Sequence, residues 1–145
     1  MERADLKADA RSATIVPFDS PTDPTEEAAV RATVDDYFLG WYDADPERMR
    51  RALHPLLAKR GWTGEEGGVF ELEPVTAEVM IAWAGAGRGL RQDPADRVYE
   101  TRVVEIHDRV AVTVSHSVPY MEYLHLIKTD EGWKIINALW TRPRR

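Results

Sequence analysis

The sequence predicts an α+β domain with its helices in the first two thirds and its sheet in the last third. Three observations carry this. Apolar residues before residue 85 recur at helical spacing, residues from about 97 onward are β-branched and aromatic with short polar turns, and the interior that both halves imply is rich in tryptophan and tyrosine. The 145-residue length suits one domain and is enough to bury a core without staples.

Residues 1–22 are polar, with only Ile15, Val16 and Phe18 able to dock on a core, and read as a flexible N-terminal arm ahead of a single domain over 23–145. The first helix starts at Asp23-Pro24, an N-cap followed by a proline at the first helical position, with Glu26 placed as in a capping box. Val30, Val34, Tyr37, Phe38 and Trp41 form its buried face, and Glu27, Arg31 and Asp35 its charged one. Asp45-Pro46 repeats the start signal. Met49, Ala52, Leu53, Leu56 and Leu57 continue a helical stripe that Pro55 should break or kink at His54.

"KRGWT" and "GVFELE" flank the turn-rich "GEEG" and read as a hairpin. A third helix follows Pro74, with Val79, Met80 and Trp83 on one face and a stop at Gly85. Residues 85–96 read as a mobile loop. Its glycines follow a helix, whereas a dinucleotide fingerprint runs strand, glycines, helix, so they give no phosphate loop. Four strands close the chain as an antiparallel meander, with turns at Asp108 and at residues 130–132. In the last hairpin, a three-residue loop with Gly132 left-handed pairs Thr129 with Trp133, Ile127 with Ile135, His125 with Asn137 and Tyr123 with Leu139. It would turn His125, Asn137 and Tyr123 inward, and set Lys128 against Lys134.

Composition excludes several functions. Without cysteine there are no disulfides, zinc–thiolate sites or thiol nucleophiles. A net charge of -6 argues against nucleic-acid binding. No apolar run nears the ~20 residues of a membrane span, and the charged N-terminus lacks a signal-peptide core. The expectation is a cytoplasmic protein without cofactor or metal, since the four histidines show no ligand spacing. Large aromatics at Tyr37, Trp41, Trp83, Tyr123 and Trp140 could line a pocket, with His54, His125 and Asn137 as its polar spots. In an enzyme, His125 or His54 would be the general base, and Tyr123 or Asn137 would stabilise an oxyanion or enolate. Apolar residues on both parities of the strands also allow a dimerisation scaffold that pairs through the outer sheet face.

The segments "DYFLGWYDAD", "ALHP", "YLHL" and "GWKIINALW", in this order and spacing, resemble the putative lumazine-binding family of the nuclear transport factor two-like superfamily, which includes the SnoaL-like cyclases. The resemblance runs from about residue 25 to 140. It implies a cone: a strongly curved antiparallel sheet wrapped around three helices in the order α-α-β-β-α-β-β-β-β, with a cavity at the wide end. It further implies a homodimer and either a bound small apolar or aromatic molecule or an isomerase, dehydratase or cyclase activity. Many superfamily members carry an Asp just after the proline that follows the second helix; here that residue is Leu56.

Overall fold

The structure, a computed structural model, describes residues 13–63 and 72–142. Helix α1 (Pro24–Tyr42) opens with the Asp23 side chain accepting a hydrogen bond from the Thr25 amide at 2.8 Å. Glu26 makes no capping box; both its oxygens take the Lys128 ammonium at 2.9 Å and so tie the helix start to the sheet. Val30, Val34, Tyr37 and Phe38 are buried as their spacing requires. Arg31 pairs with Glu27 at 3.2 Å, while Asp35 instead accepts the Tyr99 hydroxyl at 2.7 Å.

Helix α2 (Pro46–Ala52) is capped by Asp45, which accepts from the Arg48 amide. Arg48 and Arg51 both grip Asp36 of α1, which locks the two helices together. Burial works to raise the Asp36 pKa, but the hydrogen bonds and charges of Arg51 and Arg48 outweigh it, so the carboxyl lies below its ordinary value. The helix ends one turn earlier than the leucine stripe implies. Leu53 is already extended, and residues from Leu53 to Trp62 form strand β1 rather than a helical continuation. Proline at 55 excludes helix at His54, and His54 Nδ1 accepts from the Leu56 amide at 3.0 Å to close the turn.

Helix α3 (Ala77–Gly85) is capped by Thr76 and buries Ala77, Met80 and Ala84; Val79 points outward, against the expected face. Residues 85–96 are not a bare loop: two short 3-10 turns, Arg88–Arg91 and Pro94–Asp96, lead into the sheet. Strands β2 (Tyr99–His107), β3 (Val110–Ser117), β4 (Met121–Thr129) and β5 (Gly132–Thr141) form the antiparallel meander.

The sheet order is β1-β5-β4-β3-β2, and β1 joins β5 in parallel. The expected "KRGWT"–"GVFELE" hairpin falls partly on 64–71, outside the described residues. What is described is an antiparallel bridge, in which Lys59 and Val75 exchange both backbone hydrogen bonds at 3.0 and 2.8 Å. The fold is therefore the three-helix, curved-sheet arrangement that the resemblance implies, with one parallel edge pair.

The last hairpin corrects the register. Thr129 pairs with Gly132, Lys128 with Trp133 and Leu126 with Ile135, so the loop is two residues long and Lys128 does not oppose Lys134. A bulge between Leu126 and His125 then restores His125 opposite Asn137 and Tyr123 opposite Leu139. The inward side is the other parity: Glu122, Leu124, Leu126 and Ala138 are buried. Lys134 is buried as well and donates at 2.6 Å to the Arg51 carbonyl at the end of α2, one of the carbonyls a helix C-terminus leaves open. The core joins α1, α2 and α3 to this inner face, and Phe38 stacks on Tyr99 at 4.4 Å.

Candidate functional site

Between α1, α3 and the inner face of the sheet lies a cavity of about 380 Å³, within the size range of small-molecule sites. Its walls are aromatic. Trp41 comes from α1, Trp83 from α3 and Trp140 from β5, and Tyr120 precedes β4. Two glycines allow the close approaches that set these walls. A Cβ on Gly61 would lie 1.9 Å from the Trp140 ring, and one on Gly89 2.0 Å from the Trp41 carbonyl oxygen. Tyr120 meets Trp140 edge-on at 5.1 Å.

The polar part of the lining is a buried cluster. The Tyr37 hydroxyl donates to Glu122 Oε1 at 2.6 Å and accepts from the Lys59 ammonium, which also pairs with Glu122 at 3.4 Å. Each member comes from a different element: α1, β4 and β1. Burial, reinforced by the Glu122 charge and hydrogen bond, pushes the Tyr37 phenol well above its ordinary range, so it remains a neutral donor. The carboxylate and the ammonium compensate each other's loss of water, as buried charges must. Among the described residues nothing hydrogen-bonds Glu122 Oε2, and one Lys59 N–H is unused.

Of the residues singled out from sequence, Tyr37, Trp41, Trp83 and Trp140 meet around this cavity. His125, Asn137 and Tyr123 do not. His125 and Asn137 face each other at 3.4 Å, as expected, but on the exposed outer face beside Tyr123. His54 sits half-buried in its turn, and no histidine lines the cavity. The inward reading failed because both parities of β4 are apolar.

Lys59 and Glu122 went unnoticed. Glu122 shares a parity with Leu124 and Leu126, and that carboxylate on a leucine face was the available signal. Arg88, Gln92 and Arg142 also line the cavity, and nothing in their local pattern marked them. Among the described residues no group of three or more potential metal ligands occurs, and no helix is long and apolar enough to cross a membrane.

Three helices and an open, curved, mostly antiparallel five-stranded sheet place the chain in the nuclear transport factor two-like class. Within it, the chain belongs to the family described as putative lumazine-binding, which it matches over residues 25–141. Similar solved structures include an NTF-2 like protein of unknown function from Silicibacter pomeroyi DSS-3, with a TM-score of 0.68 and 17% identity, covering 85% of this chain and 100% of that one. Another NTF2-like protein of unknown function, from Shewanella baltica OS155, gives 0.62 and 14%, covering 87% and 100%. A ketosteroid isomerase-like protein from Erwinia carotovora atroseptica SCRI1043 gives 0.57 and 16%, covering 85% and 100%. At these identities the likeness is one of fold. Comparison with curated proteins finds no match.

Proposed function

We propose that this protein binds a small, planar, heteroaromatic molecule in the cavity. The Tyr37–Glu122–Lys59 cluster set among tryptophan walls is the observation that carries this reading. Flat rings gain most against aromatic faces, and a few polar groups fix their orientation. The unused Lys59 N–H and the open Glu122 Oε2 form a donor beside an acceptor. That pair complements the C=O and N–H of a cyclic amide. Lumazine, named in the family description, is a bicyclic dione with such edges.

Calorimetric titration with lumazine tests the reading. Saturable one-to-one binding is expected, and Trp83→Ala should weaken it about tenfold through loss of a stacking face. Absence of saturable heat from lumazine would remove the support.

A second proposal concerns assembly. Val110 (53% exposed), Tyr123 (44%) and Leu139 (51%) lie with His125 and Asn137 on the outer sheet face, an apolar surface of the kind that marks interaction sites. We propose that two copies pair through it. Sedimentation equilibrium at micromolar concentration should give twice the chain mass; a monomer would refute the pairing.

A further inference from the structure

We infer that the ligand is an oxyanion, a planar ring bearing a carboxylate, read by Arg88 and Arg142; this rests on the cavity reading above. Both side chains line the cavity. The Arg88 guanidinium lies 4.1 Å from the centroid of the Trp83 ring. That of Arg142 lies 5.7 Å from Tyr120 and 5.9 Å from Trp140. A guanidinium held over a ring keeps its edge N–H donors free, and those donors match a carboxylate in a two-pronged geometry.

Neither arginine has a carboxylate partner among the described residues. Of the described arginines without such a partner, these two line the cavity and lie over its aromatic rings. Lys59 and Glu122 cancel each other within the lining. Among the described residues of the lining, Glu73 is then the one carboxylate counted against two guanidinium groups, which leaves these residues a positive excess in a chain of net charge -6. Composition does not account for such a spot. It would draw an anion to the same walls that stack its ring.

Calorimetry on the full chain with lumazine, lumazine-6-carboxylate and lumazine-6-carboxamide decides the matter. The carboxylate should bind at least about tenfold more tightly than the carboxamide, the smaller effect expected of a hydrogen bond to a charged group. The preference should shrink as salt rises. Arg88→Gln and Arg142→Gln, each checked for an unaltered fold by circular dichroism, should each reduce the carboxylate-to-carboxamide ratio. Equal affinity of the two derivatives, with lumazine itself bound, would overturn the anion and leave the cavity reading standing. A preference that both variants retain would overturn the assignment to these arginines. No binding by lumazine or either derivative would remove the cavity reading and this inference together.

Discussion

Tyr37 belongs at once to the buried face of a helix and to the polar cluster of the cavity, and its phenol ties stability to pH. Its folded pKa is raised, by burial first and then by Glu122. A raised value means the contribution is fully present below the ordinary 10.0 and lost as pH rises toward the folded value, because the unfolded chain ionises first. Stability should therefore fall above about pH 10, with Tyr37 contributing up to about 1.4 kcal/mol per pH unit. Tyr42 and Tyr99 are shifted the same way, so Tyr37→Phe should make the slope shallower without abolishing it. Urea unfolding between pH 8 and 11.5 measures this, and an unchanged slope in the variant would contradict it. Thr113 tests the interior in the other direction. Its hydroxyl is fully buried with no hydrogen-bond partner, so Thr113→Val should stabilise the protein by about 1 kcal/mol in the same assay. At this scale Tyr37, Trp41 and Trp83 were legible, because large aromatics at helical spacing face inward. Lys59 and Glu122 were not, because charged residues are ordinarily expected outside.

The strands show why inward and outward were exchanged. β3 turns small residues, Ala111, Thr113 and Ser115, toward the helices and its valines outward. The outward valines carry β4 with them, through the pairing of Val112 with His125 and Val114 with Tyr123. The bulge in β5 hid the turn length while leaving the His125–Asn137 pairing intact, an insertion that alternation alone cannot register. Helix starts were legible at Asp23 and Asp45 because a capping side chain followed by proline is a local signal. The parallel pairing of β1 with β5 was not, since no local pattern specifies a partner about eighty residues away. That pairing sets Gly61 opposite Trp140. Gly61→Ala would drive a methyl into the indole, so it should cost about 1–3 kcal/mol by thermal melting and alter the near-ultraviolet circular dichroism of the tryptophans. A variant matching the parent in both would show that Trp140 is not held there.

For the whole molecule, the helices fill part of the sheet's concave face, and the remaining space is walled by rings from both layers. The sequence conveyed the layers and their order, because periodicity reports which residues are buried. The resemblance implied a hollow, but local spacing did not show that Gly61 gives way to the Trp140 ring and Gly89 to the Trp41 backbone, both distant in the chain. The five tryptophans report on that hollow individually. Trp41, Trp83 and Trp140 line it, Trp133 is buried in the core and Trp62 is partly exposed elsewhere. The most direct test is a titration with lumazine followed by the indole N–H signals in a nitrogen–proton correlation spectrum. Binding in the cavity predicts that the Trp41, Trp83 and Trp140 signals move in a saturable way while those of Trp133 and Trp62 stay in place. Shifts confined to Trp62, or no shift at any of the five, would contradict a guest held between the sheet and its helices.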